Sequence, residues 1–111
     1  MSSKIVDGLE PPYYVVTFTT LISKDAGDDY HAMAERMVDL AKTMPGYLGV
    51  ESARDGGLGI TLSYWQTEAD IKHWKMEAEH TEARHKGREK WYDAYNLKVA
   101  KVERCYAFKK S

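Results

Sequence analysis

Three of the four histidines of this chain lie in one short stretch of its second half. His73, Glu77, His80 and Arg84 are spaced i, i+4, i+7 and i+11, so they share one face if the stretch is helical. His80 and His85 each end a Glu-x-x-His step, a spacing that binds metal in di-iron helix bundles. On one helix, however, two such steps five residues apart point about 140° away from each other. We therefore favour a solvated face of mixed charge and predict no metal site.

Aromatic residues are the second candidate source of chemistry, since the chain has 8 Tyr, 3 Trp and 2 Phe. That much ring surface in a small domain belongs in a core, an interface or a pocket. Trp65, Trp74 and Trp91, with Tyr92 and Tyr95, could line an aromatic pocket between helices and a sheet. For Trp74 and Trp91 the helical spacing favours a core role, whereas the two roles are evenly balanced for Trp65.

Three β-strands can be predicted from alternation and from dense β-branched and aromatic residues. Residues 13–22 form the first, and residues 47–55 and 58–65 form a hairpin through Gly56-Gly57. In the third strand one face is small and polar until it ends in Trp65. We expect this face to line a space that Trp65 closes.

Two helical segments separate these strands. The first has apolar residues from Tyr30 to Met44 at helical spacing, preceded by Asp28-Asp29 at the positively polarised helix start and ended by Pro45. The second opens with a capping box over residues 67–70, and its pattern predicts helix to about Tyr95. A last strand is then expected over residues 97–108.

The order β-α-β-β-α-(α)-β, in which Gly87 can break the second helical segment in two, predicts an α+β ferredoxin-like sandwich, a four-stranded antiparallel sheet with helices on one face. Since both faces of the first strand are apolar, we expect the uncovered face to pack on a second subunit in a homodimer. Residues 1–12, which end in Pro11-Pro12, are predicted to be a flexible N-terminal arm, and residues 13–111 a single domain.

Charge and cysteine content exclude several classes of protein. The 16 basic and 17 acidic side chains nearly balance, which argues against nucleic-acid or membrane-surface partners. No apolar run is long enough for a membrane helix or a signal peptide. A single cysteine, Cys105, leaves no disulfide framework and is typical of a cytoplasmic protein.

With these elements in place, the sequence resembles the antibiotic biosynthesis monooxygenase family, dimeric α+β barrels that include haem-degrading monooxygenases. The resemblance runs from about Pro11 to Phe108. It depends on four segments: Pro12-Tyr13-Tyr14-Val15-Val16-Thr17-Phe18, Met44-Pro45-Gly46-Tyr47-Leu48-Gly49-Val50-Glu51-Ser52, Ser63-Tyr64-Trp65 before the helix of Trp74, and residues 79–89 leading to Trp91-Tyr92.

The resemblance implies one of two chemistries. Cofactor-free members hold an electron-rich phenolate in an aromatic pocket, where O2 takes its electrons directly. Haem-degrading members use a helix histidine, a first-strand asparagine and a third-strand tryptophan. Here Trp65 matches the tryptophan, the histidine position falls on Arg84 or, after a one-residue shift, on His85, and Thr17 and Thr19 stand where the asparagine would be.

We therefore expect a monooxygenase without a bound cofactor that acts on an aromatic or quinol-like molecule, with haem degradation as the alternative. A non-catalytic dimer that binds a small hydrophobic ligand is the second hypothesis. His85 is the candidate catalytic residue, since an imidazole can take a proton from a phenol near neutral pH, although its position between Arg84 and Lys86 favours a surface histidine. The candidate substrate-binding residues are Trp65, Trp74, Trp91, His80 and Tyr95.

Overall fold

The computed structural model describes residues 5–85 and 91–110, with side chains described up to residue 80 and again from residue 91. Six elements follow one another in the predicted order, and the additional helical piece expected after Gly87 falls largely outside the described residues. They are β1 (Tyr13–Ile22), α1 (Asp28–Lys42), β2 (Tyr47–Asp55), β3 (Leu58–Trp65), α2 (Glu68–His85) and β4 (Tyr92–Val102).

The four strands form one antiparallel sheet in the order β2-β3-β1-β4. Both helices lie on the face that carries Val16, because Val16 clusters with Ala41 of α1, Ile71 of α2 and Trp65 of β3. The predicted ferredoxin-like sandwich is confirmed. No helix in the described parts of the chain has the length and apolar character needed to span a membrane.

The start of each helix follows from local hydrogen bonding. In α1 the N-cap is Gly27, and Asp29 in the first turn accepts a bond from the Tyr30 backbone N–H at 3.0 Å. At the start of α2, the Asp70 backbone N–H donates to Thr67 Oγ1 at 3.1 Å. The Thr67 hydroxyl in turn donates to Asp70 Oδ2 at 2.8 Å, so the predicted capping interaction is present.

Gly46, at the turn from α1 into β2, must be a glycine for two reasons. Its φ of 82° lies in the left-handed region, and a Cβ at this position would come within 2.7 Å of the Asp70 Cβ. Its carbonyl accepts the Gln66 backbone N–H at 2.9 Å. The turn into β2 therefore packs directly against the start of α2.

The fourth strand differs from our prediction of helix to Tyr95 and strand over residues 97–108. The strand begins at Tyr92, and its register with β1 shifts at Leu21/Ile22, so that Ile22 pairs with Tyr92 and Leu21 with Ala94. The irregularity places Tyr92 and Tyr95, three residues apart, on the same side of the sheet, which mimics a helical spacing. The strand ends where β1 begins, since Tyr13 pairs with Val102.

The face of the sheet turned away from the helices carries a small polar cluster. The Tyr64 hydroxyl donates to Glu51 Oε1 at 2.7 Å, and the Tyr13 and Tyr64 rings meet edge to face at 5.9 Å. The Val6 backbone N–H donates to Glu51 Oε2 at 2.7 Å. Val6 of the N-terminal arm therefore contacts β2, while the flexibility of the arm in solution stays a prediction.

Candidate functional site

A cavity of about 720 Å³ lies between the helices and the sheet. Its volume falls within the range of roughly 300–1,000 Å³ that is typical of small-molecule sites. Its lining is mainly apolar and aromatic and comes from both layers. Representative members are Val16, Phe18, Tyr30, Met37, Trp74 and Tyr92.

One end of the cavity is an aromatic wall built on β1 and β4. The Phe18 ring meets Tyr92 at 6.0 Å and Tyr95 at 5.4 Å, both edge to face, and Tyr92 meets Tyr30 of α1 at 5.7 Å. Because the register shift at Leu21/Ile22 turns Tyr92 and Tyr95 toward the same ring, the irregularity in the sheet assembles this wall. An aromatic ligand can pack against these rings with the same edge-to-face geometry.

Small polar side chains of β3 make room for the cavity. Thr61 and Ser63 project from the helix-covered face, as expected from the sequence, and both line the cavity. Ser63 is buried, and its Oγ accepts the Trp65 Nε1–H at 2.9 Å. Replacing either with a large side chain would fill the space that a ligand needs.

Tyr47 contributes a phenol to the cavity lining. Burial raises the pKa of the Tyr47 hydroxyl above its ordinary value of 10.0. The group is therefore protonated near neutral pH and can donate a hydrogen bond to a ligand oxygen, but it cannot serve there as a base.

The exposed part of the lining comes mainly from α1 and β2, so the cavity mouth lies between these two elements. Charged residues gather at this mouth. Glu35, Asp39 and Lys42 stand on α1, and Arg54 stands near the end of β2. The interior of the cavity is mainly apolar with a few uncharged polar groups, and its rim is charged.

The three tryptophans take different positions. Trp74 lines the cavity, and its role in substrate binding stays a prediction. Trp65 is 0% exposed and contacts Tyr47 and Trp74 at ring distances of 5.8 and 5.4 Å, a position that favours a core role. Trp91 is 2% exposed and donates its indole N–H to Asp29. It too belongs to the core.

The other three candidates lie at different distances from the cavity. Tyr95 is 44% exposed and contacts the aromatic wall through Phe18, on a strand rather than on the predicted helix. His80 is an exposed residue of α2. His85 ends α2, and its side chain lies outside the described part of the molecule. A role of these residues in binding or catalysis stays a prediction.

The described residues do not supply the donor set of a metal site or of a haem site. Within residues 5–80 and 91–110, no group of three or more His, Cys, Asp or Glu side chains is placed to hold a metal ion. Trp65, which would have to face a porphyrin, is enclosed in the core instead. The burial of Trp65 does not fit a haem site.

Sequence reasoning did not identify three residues that the structure brings to the cavity. Two are rings in the lining, Phe18 and Tyr30, and the third is Arg54. Arg54 could have been found from the predicted hairpin, because its pairing places Gly59 directly opposite Arg54. A glycine opposite a long side chain leaves room for that side chain to cross the neighbouring strand.

Comparison with protein families gives a match over most of the chain. The sequence model of the family described as antibiotic biosynthesis monooxygenase matches residues 12–86. A protein of Bacillus subtilis strain 168, YqjZ, described as uncharacterized, is 49% identical over 104 residues, which cover 92% of this chain and 90% of that protein.

Solved structures of similar fold include two that cover nearly the whole domain. Rv0793 from Mycobacterium tuberculosis has a TM-score of 0.67 at 12% identity and covers 89% of this chain and 99% of its own. SnoaB from Streptomyces nogalater, a cofactor-independent oxygenase, has a TM-score of 0.66 at 9% identity and covers 85% and 95%. At these identities the similarity establishes a shared fold.

Proposed function

The chain belongs to the antibiotic biosynthesis monooxygenase family, and from this premise we propose that it is a monooxygenase that needs no cofactor and oxidises an aromatic or quinol-like small molecule. The observation that carries the proposal is the aromatic cavity of about 720 Å³ between the helices and the sheet. The likeness in fold to SnoaB, a cofactor-independent oxygenase, supports it.

In this reaction one oxygen atom of O2 enters the substrate and the other leaves as water, while the substrate supplies the electrons. The chain has to bind an electron-rich ring, exclude water and remove a proton. Phe18 and Tyr92 would hold the ring edge to face, and the protonated Tyr47 hydroxyl would donate to a substrate oxygen. His85 is the proposed base that takes the phenolic proton.

We propose that the protein works as a homodimer through the uncovered face of the sheet. Leu21, Leu58 and Ile60 are 46%, 42% and 42% exposed, and each belongs to the strand face opposite Val16. Contiguous apolar surface of this kind typically marks an interface. We also propose a cytoplasmic location, as predicted from the single cysteine.

A non-catalytic dimer that binds a small hydrophobic ligand is the second candidate. The observation that favours it is that the described lining of the cavity contains only one imidazole, His31. His31 lies at an exposed position of α1 on the rim, so no histidine of the described lining offers a base inside the cavity. Haem degradation is disfavoured because Trp65 is enclosed in the core.

The experiment that separates these functions is oxygen consumption with a naphthoquinol, with and without a metal chelator. We expect consumption above the uncatalysed rate that survives the chelator, and its loss in Thr61→Phe, which fills the cavity, and in His85→Ala. His73→Ala, an exposed histidine of the same helix, is the control and should retain activity. Ligand-dependent thermal stabilisation without any oxygen consumption would instead identify a binding protein.

A further inference from the structure

Arg54 lies on the rim of the cavity, at a position where the neighbouring strand leaves space for its side chain. It lies on the helix-covered side of β2, directly opposite Gly59 of β3. Its guanidinium lies over that glycine, so a Cβ at Gly59 would come within 2.7 Å of Arg54 Cζ. Gly59 is buried. The absence of a side chain at Gly59 is what lets Arg54 cross β3 toward α1.

Hydrogen bonds from two elements then orient the guanidinium. Nη2 donates to the Tyr30 hydroxyl of α1 at 2.9 Å, and Nη1 donates to the Gly57 carbonyl of the hairpin at 3.3 Å. Arg54 Cζ also lies 5.8 Å from the centroid of the Tyr30 ring. Tyr30 is only 6% exposed and packs on Trp91 and Tyr92. The charge is therefore anchored to a rigid part of the core.

This charge has no carboxylate partner among residues 5–80 and 91–110. No carboxylate oxygen there lies within 4.0 Å of the guanidinium, although Glu35 and Asp39 line the same cavity from α1. A guanidinium has five N–H donors, and the two hydrogen bonds above leave others available. An oriented cation with free donors beside an aromatic wall matches a planar acid.

We propose that Arg54 is a binding residue for an ionised oxygen of a planar aromatic ligand, a carboxylate or a deprotonated phenol, whose ring lies against Phe18 and Tyr92. This inference rests on the proposed function and specifies its substrate class. Arg54 favours the ionised form of the ligand through a charge-assisted hydrogen bond. Gly59 and Tyr30 act as positioning residues for the guanidinium.

The test compares two probes of similar shape, 2-naphthoate and the uncharged 2-naphthylmethanol, by isothermal titration calorimetry. We expect naphthoate to bind more tightly to the wild-type protein. Arg54→Gln should lower the affinity for naphthoate by about tenfold or more, as expected for loss of a charge-assisted bond. The affinity for naphthylmethanol should change by less than about twofold. Lys42→Gln is the matched control, since it removes the same charge from the α1 side of the rim.

A second variant keeps the charge and moves it. Gly59→Ala adds a methyl group where the guanidinium now lies, and because the obstructing atoms end a flexible side chain, the fold should persist. The affinity for naphthoate should fall in Gly59→Ala, while the affinity for naphthylmethanol should not. This variant also tests the proposal if Arg54→Gln fails to fold.

Three outcomes overturn the proposal: equal affinity of the two probes, an unchanged affinity ratio in Arg54→Gln, or an equal loss in Lys42→Gln. If naphthylmethanol still binds in those cases, the cavity remains a ligand site and only the role of Arg54 falls. If neither probe binds, the ligand role of the cavity falls as well. Arg54-dependent naphthoate binding without oxygen consumption on any quinol supports the binding site and contradicts the oxygenase.

Discussion

Trp91 Nε1 donates a 3.0 Å hydrogen bond to Asp29 Oδ2, joining residues 62 positions apart in the chain. The bond ties the residue before β4 to the first turn of α1. Because Trp91 is 2% exposed, its indole N–H would lack a partner without the carboxylate.

Replacing Asp29 with Ala should therefore lower the free energy of unfolding by about 1–3 kcal/mol, the cost of leaving a buried donor unpaired. Urea denaturation measures this change. Asp28→Ala is the control. Asp28 also lies in the first turn of α1 and interacts favourably with the helix dipole, as Asp29 does. Equal losses in the two variants would mean that the dipole, rather than the Trp91 bond, accounts for the effect.

Replacement by Phe should destabilise the protein at Trp65 but have little effect at Trp74. Trp65 Nε1 is bonded to Ser63, whereas the buried Nε1 of Trp74 has no hydrogen-bond partner among the described residues. Trp65→Phe should cost roughly 2–4 kcal/mol, since it leaves a void and an unpaired Ser63 hydroxyl.

Trp74→Phe removes an unsatisfied donor, and the change in stability should stay within about 1 kcal/mol of zero. The two variants are compared by urea denaturation. A large loss in Trp74→Phe would show that this indole N–H has an acceptor in the folded protein.

Stability should fall at alkaline pH through Tyr64. Burial, reinforced by the hydrogen bond to the Glu51 carboxylate, raises the pKa of the Tyr64 hydroxyl in the folded protein well above its ordinary value of 10.0. Below about pH 10 the Tyr64 hydroxyl is protonated in both the folded and the unfolded protein, so this group does not make the free energy of unfolding change with pH.

Above about pH 10 the unfolded chain loses this proton first, so the free energy of unfolding decreases as pH rises further. Tyr64→Phe should reduce that decrease, measured from urea midpoints across the alkaline range. Tyr106→Phe is the control, because Tyr106 is 87% exposed. An unchanged pH dependence in Tyr64→Phe would contradict the assignment.

Homodimer formation should depend on the uncovered sheet face. Leu58→Glu places a charge on that face and should convert a particle of twice 12.7 kDa into one of 12.7 kDa by light scattering. Met76→Glu, on the exposed part of α2, should leave the mass unchanged. A wild-type mass of 12.7 kDa would make the dimer prediction wrong.

Local pattern was sufficient to predict β1, β2 and β3 to their observed ends. Alternation of side chains and the Gly56-Gly57 turn are properties of neighbouring residues. The start of β4 was missed because it depends on pairing with β1, some 70 positions away, and on the register shift at Leu21/Ile22. No local pattern near Tyr92 records that shift.

The candidate site was predicted less completely than the fold. Trp74, for which the sequence favoured a core role over a pocket role, lies in the cavity lining, and Arg54 has no distinguishing neighbours in the sequence. Its setting arises from a strand register, a glycine and a tyrosine of another element. The hairpin pairing alone predicts that Arg54 faces Gly59, whereas the contact with Tyr30 becomes visible only in three dimensions.

The core is divided between the two ends of α1. Its first turn is anchored with Tyr30, Met33 and Trp91, and its last turn with Val16, Trp65 and Ile71, while the cavity borders both groups. Residues such as Val38 in the middle of the helix can therefore change without disturbing either group. This separation lets descendants of one ancestral scaffold diverge in ligand preference while the scaffold itself remains folded.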